Sequence, residues 1–198
     1  MSVRSAQQLE KLFNVKPVIV LKEMQKALDS ASRATIFRLL VKVSYCRSYN
    51  RNGMYYTKHD QTRYDKHGLF SYKGIHFSRD GNLAATVARL IREASLGHTQ
   101  RELQELLQVR VQTCLLTMVH NKQLARCKLS GQFIYLHPDS EIRMEQLTKR
   151  RELFEQRRFE LKEVTDAVVI QVLLILIRYP SSRTGDVARR LKGHSPPI

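Results

Sequence analysis

A chain of 198 residues that is 42% hydrophobic and 26% charged has enough apolar side chains for a buried core, which excludes a natively disordered protein. Its 34 Lys and Arg against 18 Asp and Glu leave a net charge of +16, an excess that a polyanionic partner would neutralise. Nucleic acid is the leading expectation, because phosphate neutralisation rewards Lys and Arg whatever the base sequence; an acidic membrane surface is the alternative. Residues 1–60 are the most one-sidedly basic, with 11 Lys and Arg against 4 Asp and Glu, while 81–140 hold 7 against 4. The N-terminal residues are too polar for a secretory signal, and the longest apolar stretch, 167–177, contains Gln171 and is too short to cross a bilayer. Three scattered cysteines (Cys46, Cys114 and Cys127) without a Cys-x-x-Cys pair fit a reducing interior, so no membrane partner and a cytoplasmic place, on the nucleoid in a bacterium, are expected.

In chain order, residues 5–13 read as a helix and 18–21 as a short β-prone segment after Pro17. A short helix over 21–28 and a turn at 29–32 follow, then a longer helix over 34–41 with Ile36, Leu39 and Leu40 facing inward. Residues 43–49 and 54–57 flank a turn at 50–53 suited to positive φ, the pattern of a hairpin. Residues 61–80 read as a linker in which basic and aromatic side chains interleave (Arg63, Tyr64, Lys66, His67, Tyr72, Lys73, His76, Phe77). It either tracks a nucleic-acid strand or packs onto a domain through Tyr72, Ile75 and Phe77.

From 82 to 94, Leu83, Val87, Leu90, Ile91 and Ala94 recur at helical spacing, and Gly97 ends the helix. Thr99 opens a Thr-Gln-Arg-Glu capping box in which Glu102 reaches back to the cap. A short helix carries Leu103, Leu106 and Leu107; a further one carries Val111, Leu115, Met118 and Val119. Two β-prone runs, 124–129 and 132–136, meet at Ser130 and Gly131.

The two stretches are alike. Glu23, Gln25 and Leu28 match Glu102, Gln104 and Leu107; with one residue dropped in the next turn, Thr35 matches Thr113, Val41 matches Val119, Gly53 matches Gly131 and His59 matches His137. Helix, short helix, turn, longer helix and hairpin, twice over, resembles the winged helix-turn-helix DNA-binding superfamily across residues 5–60 and 82–138. The resemblance implies a fold that is mainly α with small β-hairpins (α+β): tandem winged helix-turn-helix units at 1–60 and 81–140, a linker at 61–80, and a helical C-terminal region at 141–198. It implies recognition helices at 31–42 and 109–122 in the major groove, with wing tips at 50–53 and 130–131 on phosphates or the minor groove. The expected DNA-binding residues of the first unit are Ser32, Arg33, Thr35, Arg38 and Lys42 on the helix, and Arg47, Tyr49, Asn50, Arg51 and Asn52 on the wing. In the second unit they are Arg110, Gln112, Thr113, Thr117, Asn121 and Lys122, with Arg126, Lys128 and Gln132 on the hairpin. Changes at Gln112 and Lys128 are expected to cost less than changes at Arg38 and Arg51, because the first unit is the more basic.

Residues 141–162 mix both charges with a thin stripe of Leu147, Leu153, Phe154 and Leu161, as a long exposed helix does. Asp166 is placed to cap a helix through 177 that is apolar nearly all round, and such a helix needs cover on several sides. A homo-oligomer, or a partner protein bound through these C-terminal helices, is therefore expected. Residues 184–191 resemble the short second helix of a further helix-turn-helix, cut off at 195–198, so this region reads as a dimerisation module or a truncated unit.

Signals for chemistry are poor. There is no phosphate loop, nucleophile elbow or paired-carboxylate motif, and His59, His67 and His76 with Cys46 match no zinc spacing. The expectation is a non-enzymatic protein without metal or cofactor, a sequence-specific binder of double-stranded DNA: a transcriptional regulator, or an accessory protein of a mobile element or defence system. A protein-binding adaptor and an RNA-binding protein are the competing readings.

Overall fold

The computed structural model describes residues 6–162 and 166–192. The expectations placed on residues 1–5 and 195–198, and on the side chains of Leu161 and Asp166, lie outside the described residues. The chain is mainly α with small antiparallel sheets and divides into two compact units, Met1–Lys149 and Arg150–Ile198.

The first half of the first unit runs α1 (Ala6–Val15), β1 (Ile19–Val20), α2 (Leu21–Ala27), α3 (Arg33–Val43), β2 (Tyr45–Arg47) and β3 (Tyr55–Lys58). Its sheet has the order β1-β3-β2, all pairs antiparallel. The 3.6-residue period puts Leu9 and Phe13 of α1, Met24 of α2 and Ile36, Leu39, Leu40 and Val43 of α3 on inner faces, where they close one core with Leu28 and Tyr56. Ser32 starts α3 by accepting the Thr35 amide proton on its hydroxyl at 3.2 Å.

The second half repeats the order: α4 (Leu83–Glu93), β6 (His98–Thr99), α5 (Gln100–Leu107), α6 (Gln112–His120), β7 (Ala125–Leu129) and β8 (Gln132–Leu136), with sheet order β6-β8-β7. Asn82 caps α4, and the capping box at Thr99 forms as the spacing predicts: its hydroxyl accepts from the Glu102 amide at 3.1 Å, and the Glu102 carboxylate accepts from the Thr99 amide at 2.8 Å. Gly97 is required where it stands. Its φ is +61°, and a Cβ there would lie 2.6 Å from the Tyr135 carbonyl oxygen.

From the first short strand onward the halves correspond at one constant shift of 79 positions, the step from Val20 to Thr99 at the starts of α2 and α5. The same shift takes Glu23 to Glu102 and buried Met24, Leu28, Ile36 and Leu39 to buried Leu103, Leu107, Leu115 and Met118. It also takes the strand pair Arg47–Tyr56 to Arg126–Tyr135, and the left-handed turn residues Arg51 and Asn52 to Ser130 and Gly131. No residue drops out. The matches of Thr35 with Thr113, Val41 with Val119, Gly53 with Gly131 and His59 with His137 are therefore each one position out. Thr35 and Val41 precede the hairpin; in its turn Asn52, not Gly53, occupies the left-handed conformation of Gly131 in the second copy.

Residues 61–80 are not a linker. They form a hairpin, β4 (Leu69–Tyr72) and β5 (Ile75–Ser78), with the fully buried Phe77 joined to Val18 and Cys46 of the first half and flanked by Tyr64, Phe70, Tyr72 and Ile75. Arg89 of α4 ties it down. Its guanidinium donates to both oxygens of Asp80 at 3.0 and 2.9 Å, to Glu93 at 2.8 Å and to the His67 carbonyl at 2.6 Å. The expected division at 1–60, 61–80 and 81–140 thus gives way to a single body. α7 (Ser140–Lys162) begins in that body, where the Gln146 side-chain amide donates to the Ile91 and Ala94 carbonyls at 2.8 Å each and so satisfies the end of α4.

The second unit contains α8 (Asp166–Arg178) and α9 (Thr184–Lys192), packed on one another, with the Arg190 guanidinium 3.8 Å from the Tyr179 ring centroid. Among the described residues no helix is long and apolar enough to cross a membrane.

Candidate nucleic-acid interface

The buried residues of α3 occupy one side of the helix and leave Ala34, Arg38, Val41 and Lys42 together on the other. Arg38 and Lys42 are exposed, and the Arg38 guanidinium reaches the half-buried Thr35 hydroxyl at 3.5 Å. Arg33 leans over Phe37, 5.8 Å from the ring centroid, and Ser32 is occupied as the cap. Val41, at 69% exposure, sits in the middle of this face; periodicity alone would have placed it there, opposite Ile36 and Leu39. A methyl group on such a face suits contact with the methyl of thymine.

On α6 the corresponding face holds Gln112, Thr113, Thr117 and His120, all exposed, around Leu116 at 46% exposure. Arg110 precedes the helix, and Asn121 and Lys122 follow it, also exposed. This face is polar rather than cationic.

The two hairpin tips differ sharply. In the first, Asn50 is used twice by its own chain: its amide nitrogen donates to the Gly74 carbonyl at 2.9 Å, and its oxygen accepts from the His76 amide at 3.0 Å. The Tyr49 amide donates to the His76 carbonyl at 2.9 Å, its ring stacks on His76, and its hydroxyl donates to the Leu107 carbonyl at 3.0 Å. Arg47 folds over the turn onto the carbonyls of Gly53 and Asn52. Three of the five expected first-wing residues thus fasten the protein to itself, and Arg51 and Asn52 remain exposed. The second tip bears no such bonds to a neighbouring element among the described residues. Arg126, Lys128 and Gln132 are exposed along β7 and β8, and Arg126 lies 4.3 Å from the ring centroid of Phe133. Phe133, 45% exposed, has no place in the sequence-derived set; its signal was an aromatic at an outward strand position beside a basic one.

Charge pairing sorts these cations. Lys16, Lys58, Arg63, Arg79, Arg89 and Arg101 are each matched to a carboxylate. Among the described residues Arg33, Arg38, Lys42, Arg51, Arg110, Lys122, Arg126 and Lys128 form no ion pair, so their charge is available to an outside anion.

The histidines of 59–76 go separate ways. His59 Nδ1 lies 3.1 Å from Cys46 Sγ and 3.3 Å from the Tyr64 hydroxyl, while His76 Nδ1 meets the Ser71 hydroxyl at 3.0 Å. Burial pushes up the Cys46 thiol and the Tyr64 phenol, and burial followed by the Asp65 charge pushes the Tyr49 phenol up to about 12. An acid held protonated by the fold stabilises it fully below its unfolded value, and that contribution is lost as pH climbs towards the folded value. The urea midpoint should therefore hold between about pH 7 and 8, then fall from about pH 9 to 12 as Cys46 and then the tyrosines ionise. A Tyr49→Phe variant should lose roughly 1 kcal/mol at neutral pH and show a shallower decline above about pH 10. A midpoint unchanged to pH 12 would contradict this.

No protein-family model, curated protein or solved structure matches the chain.

Proposed function

We propose that the chain is a non-enzymatic, sequence-specific binder of double-stranded DNA, built on tandem winged helix-turn-helix units and acting in the cytoplasm as a regulator or accessory DNA-binding protein. The observation that carries this is the outer face of α3: Arg38 and Lys42, exposed and without ion pairs, on the helix that follows the turn, backed by a fully buried inner face. Such a helix presents its side chains to base edges while its own core keeps it rigid. The element order, repeated at one shift, supports the winged reading. The β7–β8 hairpin, with Arg126 and Lys128 free, takes the phosphate-contacting part; the first hairpin is held inward by Asn50 and Tyr49.

Electrophoretic mobility shifts with duplex DNA, single-stranded DNA and RNA, at about 50 and 200 mM salt, test the proposal. Duplex DNA should be shifted at the lowest protein concentration, and affinity should drop by at least about tenfold between the two salts as counterions are re-bound. RNA retained more tightly than duplex would replace this reading by the RNA-binding one. Absence of any shift would leave the exposed helix faces to the adaptor reading.

A further inference from the structure

We infer that α8 is a self-association surface, on which a second copy of this chain seats its own α8 about a twofold axis. Each residue of a helix turns about 100°, so Leu176, Val169, Leu173, Ile177, Ile170 and Leu174 fall in that order around a continuous arc of about 160°. All six are exposed, from 38% at Leu176 to 75% at Ile177, and between Val169 and Ile177 the arc contains no polar or charged residue; Asp166 enters it only at the first position of the helix. α9 half-covers the other side, at Gln171, Val172 and Ile175. A groove of about 370 Å³ beside the arc is lined by Leu174, Ile177, Tyr179 and Arg190.

Three physical points identify the occupant. The first is area. The exposed fractions of these six residues, with Tyr179, amount to on the order of 700 Å² of mostly apolar surface, close to what each partner contributes to a standard interface. The second is charge. A chain of net charge +16 repels its copies, but α8 carries charge only at its ends, in Asp166 and Arg178, so two arcs meet without opposing charges. A partner chosen by electrostatic complementarity would find nothing on the arc to recognise. The third is the opposite face. A helix lying on a membrane has a charged side turned to water, whereas α8 has the half-buried Gln171, Val172 and Ile175 there, with α9 packed against the helix. A self-complementary patch closed by a twofold axis satisfies all three.

The test uses the full chain and needs no ligand, so it stands or falls apart from the DNA-binding proposal. Light scattering and sedimentation at about 20 μM and 0.3 M salt should give twice the chain mass of 23.1 kDa. Leu173→Glu and Ile177→Glu should each weaken the dimer by at least about 100-fold, because an unpaired carboxylate would be buried at its centre. Arg183→Glu, off the arc, should leave it intact. Should a glutamate variant lose helix content, Leu173→Cys, at the middle of the arc, supplies a second readout: mild oxidation should give a disulfide-linked dimer that the parent and a Gln171→Cys variant do not form. A parent of single-chain mass overturns the inference, whether or not it floats with anionic vesicles. A dimer that persists in both glutamate variants overturns it as well, by placing the contact elsewhere.

Discussion

Replacing Arg89 with Met should destabilise the first unit by roughly 3–5 kcal/mol and lower its melting temperature by about 10 °C, the largest single-residue effect expected outside the apolar core. The guanidinium is only 10% exposed and its partner Asp80 only 17%, so the Asp80 carboxylate would be stranded rather than rehydrated. The same change removes the donors to the His67 carbonyl and to Glu93. Met has similar length and apolar character, which keeps lost packing small and isolates the charge effect. A second substitution, Asp80→Asn, should recover part of the loss in the Arg89→Met background and cost stability on its own. This sign change separates a stranded charge from a general packing defect. Melting by circular dichroism decides it; a single variant within about 2 °C of the parent would show the cluster to be ornamental.

Replacing Arg38 with Ala should leave melting unchanged within about 0.5 kcal/mol, because the side chain is exposed, and should weaken duplex binding by roughly 1–3 kcal/mol, or about 5- to 150-fold. The loss should vary with the DNA sequence offered, since a guanidinium over guanine acceptors discriminates between bases. Replacing Lys128 on the open hairpin should instead weaken all duplexes alike and lower the salt dependence by about one charge. Arg51 beside the closed tip should matter less than Lys128. This reverses the order expected from charge alone, because the net charge of a segment says nothing about which of its turns is already held by the rest of the chain. Fluorescence anisotropy on genomic duplex fragments measures both effects. Equal affinity of the Arg38 and Lys128 variants with the parent would remove these faces from the interface.

What could be seen in the sequence follows the range of the forces involved. Helix positions were legible because their signals are local: Thr99 with Glu102 announces a capped start, and Ile36, Leu39 and Leu40 announce an inner face. The fate of 61–80 was not, since interleaved basic and aromatic residues look alike whether they track a ligand or line a sheet. Long-range partners decide between the two, namely Val18 and Cys46 for Phe77 and the α4 residue Arg89 for Asp80. The internal bonds of the first hairpin tip were hidden for the same reason. Asn50 is a favourable turn residue and a good DNA contact in isolation, and only the Gly74 and His76 backbone, 24 and 26 positions away, shows that it is spent on the protein. Glu23 and Glu102 make the repeat visible, but a residue dropped after the short helix puts Thr35 on Thr113 and Gly53 on Gly131, one position out, because Asn52 is the residue that fills the left-handed position of Gly131.

On the proposed DNA-binding reading, the hairpin between the two halves changes what the molecule would discriminate. A tether would let each reading helix find its own site, and the cost of separating those sites would grow only with the logarithm of the tether length. Here the hairpin is fastened at both ends, by Asn50 and Tyr49 on one side and by Arg89 on the other, so that α3 and α6 belong to one body. Any ligand that meets both helices must then offer its two points of contact at that separation and at that helical phase. The protein would act as a gauge, and half a turn of extra duplex between two good half-sites would defeat it as surely as a wrong base.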